Sequence, residues 1–143
     1  MIVVHRIEEL RNILSKERKE KKTIGFVPTM GALHEGHFSL IKKSVSENNF
    51  TVVSIFVNPI QFGPNEDYEK YPRTLPEDTL LCEKGKADLI FAPDKDEMFG
   101  EKNYAFVDIN ELQDNLCGFS RPGHFRGVCT IVAKFFNIVN PDR

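Results

Sequence analysis

The chain has 143 residues, of which 41% are hydrophobic and 28% charged, a composition that excludes a disordered chain and a length that suits a single domain. Its 19 Lys and Arg against 21 Asp and Glu leave a net charge of −2, so no global basic excess drives nucleic-acid binding, and any anion site must be built locally. No apolar run is long enough to span a membrane, the N-terminus lacks a secretory pattern, and the three cysteines, Cys82, Cys117 and Cys129, form no Cys-x-x-Cys pair; the expectation is a reduced, cytoplasmic chain without a disulfide framework or zinc site.

In chain order, Ile7, Leu10, Ile13 and Leu14 share one helical face and predict a helix over residues 7–21, with the charged stretch after Ser15 in solvent. Residues 23–27 read as a short buried strand, and residues 28–36 as a loop punctuated by Gly31 and Gly36. Phe38, Ile41 and Val45 place a helix over 37–47, and the β-branched run 51–57 is the clearest strand. A polar loop, 58–73, follows, rich in Pro and Gly, and loops of this length in compact domains usually carry function. Thr74 and Glu77 predict a capping box that opens a helix ending at Gly85. Residues 88–92 and 104–109 are expected as third and fourth strands, and 124–139 as the last helix, closed by Pro141. Strands alternating with helices predict an α/β, Rossmann-like parallel sheet with flanking helices, whose ligands bind beyond the carboxyl ends of the strands.

Three of the four histidines lie among glycines: His34 and His37 in the segment 29–37, and His124 in the segment 121–127. Glycine lets a ligand close on the backbone. In the first segment a buried strand runs into a glycine loop and a helix starts near Gly36, so free N–H groups and the positive helix end favour an anion. His34 and His37 flank that start and can donate to phosphate oxygens. Two other readings stay open for this pair: a metal site, for which Glu35 points the wrong way, and polar capping of the helix. Arg121, His124 and Arg126 are the local cations available to a net-acidic domain, and Arg binds oxyanions bidentately. For Arg73 and Arg126 a capping or surface ion-pair role is equally open.

The segment 29–37 resembles the His-x-Gly-His signature of the nucleotidylyltransferase superfamily. With SIFVNPIQF at 54–62, YPRT at 71–74, RPGHFRGV at 121–128 and KFFNIVNP at 134–141 in the same order, the chain is identified as similar to the pantoate–β-alanine ligases (pantothenate synthetases) over essentially its whole length. The resemblance implies a two-step ligation. The carboxylate of pantoate attacks the α-phosphorus of ATP, with Mg²⁺ carried on the phosphates, and the amine of β-alanine then displaces AMP from the pantoyl adenylate. The nucleophiles belong to the substrates, which leaves the protein the tasks of alignment and charge stabilisation.

Residue by residue, the resemblance assigns Met30, Gly31, Ala32, Leu33, His34, Glu35, Gly36 and His37 to the ATP-binding loop, with His37 and His34 as the catalytic donors. It assigns Gln61, Met30, Asn58, Tyr71, Arg121 and His124 to pantoate and β-alanine, with no metal held by protein ligands. Met30, Phe56 and Phe62 are candidates to receive the dimethyl group of pantoate, Phe56 more as core. Family members continue with a Gly-x-Lys-Asp motif and a second domain bearing a Lys-Met-Ser-x-Ser-like segment. Residues 1–143 are therefore expected to be the N-terminal nucleotide- and pantoate-binding domain, with the C-terminal domain absent. The piece is expected to bind substrates or form a homodimer without full activity, with no nucleic-acid or membrane partner. The alternatives are another nucleotidylyltransferase and a non-catalytic dimerisation module.

Overall fold

The computed structural model describes residues 1–63, 66, 68–103, 105–111 and 117–143, the side chain of Cys117 excepted. Four parallel strands, β1 (Ile2–Val4), β2 (Ile24–Thr29), β3 (Phe50–Ile55) and β4 (Leu89–Phe91), pair in the order β1-β4-β3-β2. The helices are α1 (Ile7–Lys19), α2 (Glu35–Glu47), α3 (Leu75–Lys84), α4 (Lys95–Phe99), α5 (Cys117–Ser120) and α6 (His124–Val139), and a short 3-10 turn spans Pro59–Gln61.

The strand faces explain the layers. Successive residues of a strand point to opposite sides, so Phe50 and Val52 join Leu10, Leu14, Ile131 and Phe135 in one core under α1 and α6. Val53 joins Val27, Ile41, Cys82 and Ile90 in the other, under α2 and α3. Both faces are covered, and β3 is accordingly buried along nearly its whole length, Thr51 and Ser54 included. Among the described residues no helix is long and apolar enough to cross a membrane.

Three expectations are corrected. The strand expected to stop at Val27 runs through Pro28 to Thr29; β2 is an outer strand, and proline lacks only the N–H that an edge can spare. The fourth strand is β1, not 104–109. Tyr104 lies outside the described residues, and 105–109 is exposed and unpaired with the sheet. There the Val107 N–H donates to Thr130 Oγ1 at 2.9 Å, tying the segment to α6. The capping box at Thr74 does not form either: its side chain accepts no bond from the helix start, and its hydroxyl instead turns to donate to the buried Asp78 Oδ2 at 3.2 Å.

Candidate active site

The carboxyl ends of β2 and β3 feed the two loops that carry the motifs. After Thr29 the backbone turns sharply, with Gly31 at φ +86° and Ala32 at φ +49°. A side chain on Gly31 would come within 3.0 Å of Asp78 Oδ2 and 3.1 Å of Ile55 Cγ2, so glycine answers both the backbone geometry and the close approach. The turn is anchored from below. The N–H groups of Ala32 and Leu33 donate to Asp78 Oδ2 at 3.0 Å and Oδ1 at 2.7 Å.

His34 is the N-cap of α2. Its Nδ1 accepts from the Gly36 N–H at 3.1 Å, and His37 Nδ1 accepts from the His34 N–H at 3.4 Å. The capping reading thus holds in this state, and these two N–H groups are taken rather than free. It also has a chemical consequence. With Nδ1 accepting, each ring carries its proton on Nε2 and offers one outward N–H donor. The two rings lie 4.1 Å apart between centroids. Burial first, and then the neighbouring His34, hold the His37 imidazole below its usual range, while Asp78 pulls the other way.

Met30, His37, Asn58, Gln61 and Tyr71 come together around a cavity of about 270 Å³, with Phe56, Val128, Ile131, Val132 and Phe135 among its apolar lining. Phe56 is 5% exposed and also belongs to the core. The Gln61 amide bridges the polar side. Its Nε2 donates to Met30 Sδ at 2.9 Å, and its Oε1 accepts from Asn58 Nδ2 at 3.0 Å. Asn58 Nδ2 also donates to the Gly127 carbonyl at 3.1 Å. Asn58 is 1% exposed, and its Oδ1 has no hydrogen-bond partner. A buried carbonyl oxygen without a donor is costly and marks a place where a ligand hydroxyl or N–H is useful. A thioether is a weak acceptor, so Gln61 Nε2 has much to gain from a ligand oxygen.

Gly127 decides how close this loop sits. A Cβ there would fall 2.4 Å from the Ile60 carbonyl and 2.6 Å from Gln61 Cα; the absence of a side chain lets α6 press directly against the 3-10 turn.

Arg121 and His124 line a neighbouring cavity of about 420 Å³, which shares Gln61. They act together. Arg121 Nη2 donates to Glu66 Oε2 at 2.7 Å, and the guanidinium holds the Glu66 carboxyl at about 2. Arginine only donates, so the 3.2 Å contact from Arg121 Nη1 makes His124 Nε2 an acceptor and leaves Nδ1 to donate to the Gln61 carbonyl at 2.9 Å. The expectation of cations awaiting an anion is corrected to this extent: the charge of Arg121 is matched by Glu66, and His124 braces the backbone of Gln61.

The remaining residues of the 30–37 segment do not face one point. Glu35 is exposed, and Leu33 packs on the core under α2 and α3. Arg73 donates to the carbonyls of Glu69 and Tyr71 at 3.0 and 3.1 Å. Arg126 lies over the Phe106 ring at 4.3 Å. Phe62 sits edge-on to Tyr68 and Tyr71, with centroids 5.5 and 5.9 Å away. Sequence reasoning missed Asp78 and Glu66, since an acidic residue on a helix or in a polar loop carries no local sign of burial or pairing. Among the described residues no three His, Cys, Asp or Glu side chains come together in a way that could hold a metal ion.

Comparison with known proteins bears on this geometry. The family model described as Pantoate-beta-alanine ligase matches residues 2–143. The chain is 56% identical over 143 residues to a pantothenate synthetase of Clostridium botulinum (strain Loch Maree / Type A3), and 57% identical to one of Caldicellulosiruptor saccharolyticus, covering all of this chain and 51% of each relative. It thus spans about half the length of the curated relatives it matches. Among solved structures, the pantothenate synthetase of Thermus thermophilus superposes with a TM-score of 0.93 at 46% identity, covering 100% of this chain and 50% of that one. The pantoate-beta-alanine ligase of Francisella tularensis, complexed with beta-gamma ATP and beta-alanine, matches with a TM-score of 0.93 at 43% identity over 99% of this chain and 54% of that one.

Proposed function

The chain belongs to the pantoate-beta-alanine ligase family, and from that premise we propose that it forms the pantoate- and ATP-binding part of an enzyme that joins pantoate to β-alanine. The observation that carries the reading is the 270 Å³ cavity at the carboxyl ends of β2 and β3. Its apolar wall suits the dimethyl carbon of pantoate. On its polar side, Gln61 and Asn58 suit the hydroxyls and carboxylate, with the unpartnered Asn58 Oδ1 as the acceptor for a hydroxyl.

In the proposed first step a carboxylate oxygen of pantoate attacks the α-phosphorus of ATP. The P–O bond to pyrophosphate breaks, giving pantoyl adenylate. In the second, the β-alanine amine attacks the acyl carbon, the bond to AMP breaks, and the amine loses a proton. Met30 to His37 lie beside the nucleotide phosphates, and the Nε2–H groups of His37 and His34 donate to the developing charge. His37 suits that task as a neutral donor, which burial favours. Magnesium carried on the nucleotide would neutralise charge on the phosphates, while Asp78 is engaged by the N–H groups of Ala32 and Leu33 and the hydroxyl of Thr74. Arg121 and His124 hold the Gln61 backbone in place and border the space for β-alanine. The complex of the Francisella relative supports ATP and β-alanine as substrates. Association of two copies through this domain belongs to the same reading, with the exposed Phe106, Val107 and Ile109 as apolar surface that a second copy could cover, and the cytoplasm is its proposed location.

The test is AMP release that requires pantoate, β-alanine and ATP together, measured on this chain and on one extended to the length of its relatives. An extended chain without such release refutes the proposal. For the site itself, pantoate added to the labelled chain should shift the resonances of Met30 and Gln61; shifts confined to the last turns of α6 refute the assignment. Sedimentation showing only monomer at high concentration removes the dimer.

A further inference from the structure

We propose that Asp78 is the positioning residue of this site: its carboxylate clamps the Ala32–Leu33 turn from beneath and so sets where His34 and His37 stand at the start of α2. The consequence for catalysis rests on the ligase reading above; the clamp itself does not.

Four observations converge on it. Asp78 is 2% exposed, and a carboxylate is buried only where donors replace its water. The replacements are specific: the backbone N–H groups of Ala32 and Leu33 and the hydroxyl of Thr74, shared between the two oxygens. Ala32 holds φ +49°, a left-handed conformation that disfavours any residue with a side chain. Such a backbone persists only where its surroundings over-determine it, and the two charge-assisted bonds to Asp78 are the restraint. Finally, Gly31 leaves just the space that the carboxylate fills, since a Cβ there would meet Oδ2 at 3.0 Å.

The clamp also reaches the titrating groups. Asp78 favours the protonated form of His37 against the opposing effects of burial and His34. It adds to burial in raising Tyr71 and, one turn along α3, Cys82. Asp78 also lines a further cavity of about 310 Å³, together with Met30, Arg73, Asp94 and Lys95. One side chain thus holds the loop backbone and contributes to the field at His37, where burial and His34 act more strongly in the opposite sense.

The test uses this chain by itself, with NMR and without nucleotide. In Asp78→Asn, an amide of the same shape loses one acceptor and the charge. The Ala32 and Leu33 amides should then exchange at least tenfold faster while those of Val53 and Ile90 keep their protection, and the His37 titration midpoint should fall. Thr74→Val, which removes one donor without touching the turn, should leave that midpoint in place. A structural role alone would loosen the sheet amides in step with the turn and leave His37 unmoved; that result overturns the proposal. Should Asp78→Asn fail to fold, the wild-type chain decides. On acidification the Ala32 and Leu33 amide protons must shift with one common midpoint, that of the Asp78 carboxyl carbon. Separate midpoints refute the clamp. Because neither readout involves ATP or pantoate, a failure of the ligase reading leaves both intact.

Discussion

Replacing Gly127 with alanine sets two effects of opposite sign against each other. In an unobstructed helix interior, Gly→Ala stabilises by about 1 kcal/mol, because glycine loses more backbone freedom on folding. At 127 the new methyl would lie 2.4 Å from the Ile60 carbonyl, 2.6 Å from Gln61 Cα and 2.7 Å from Gln61 N. Ordinary contact begins near 3.4 Å, so α6 and the 3-10 turn must part by about 1 Å. All three obstacles are backbone and cannot rotate away. Overpacking of this kind costs about 1–3 kcal/mol, and its upper end applies. The net expectation is a loss of about 2 kcal/mol. With a urea m-value of about 2 kcal/mol/M, the unfolding midpoint falls by about 1 M. The same displacement strains the Asn58 bond to the Gly127 carbonyl, so pantoate should no longer shift the Gln61 amide resonance. A Gly127→Ala chain as stable as the parent, or more stable, refutes the claim that direct backbone contact at 127 seats the binding loop.

Asn58→Ala removes the donor that serves Gln61 Oε1 and the Gly127 carbonyl, and urea unfolding should show a loss of about 1–3 kcal/mol; an unchanged midpoint contradicts the buried bridge. The Glu66 carboxyl is held at about 2 by Arg121 against an ordinary 4.5. Its contribution to stability is therefore complete above about pH 4.5 and lost as the pH falls toward about 2. Glu66→Gln should flatten that part of the acid-unfolding profile, and an unaltered profile speaks against the pair. The Cys82 thiol is pushed up to about 12 by burial and then by Asp78, so Ellman's reagent near pH 8 should leave it unlabelled in the native chain, as read by peptide mapping; rapid native labelling at Cys82 contradicts its packing.

Much of this protein was legible in the residues alone. The run 51–57 and the helical stripes in 7–21 and 124–139 report through local periodicity, and the structure places an element at each; the Gly–His segments report through local backbone need, and Met30 and His37 of the first line a cavity. The parallel sheet followed from the alternation of those elements. Less legible was whatever depends on a partner far along the chain. A three-residue strand such as β1 has no period to detect, and pairing with β4 across more than eighty residues makes it a strand. Residues 105–109 look like a strand by composition, yet no sheet edge receives them. Pro28 stays in β2 because that strand is an outer one, a property of strand order rather than of sequence.

The site divides the same way. His34, His37 and Gln61 were named from their motifs. Their working geometry comes from residues that carry no motif: Asp78 under the turn, Glu66 across from Arg121, and the bare backbone of Gly127 against the Gln61 loop. Which chemical groups are present, and which elements carry them, could be read from the residues in order, since propensity and periodicity act within a few positions. Which donors are free and which are already bonded could not, because a hydrogen bond or an ion pair between α3 and a loop more than forty residues earlier exists only once the sheet has brought them together.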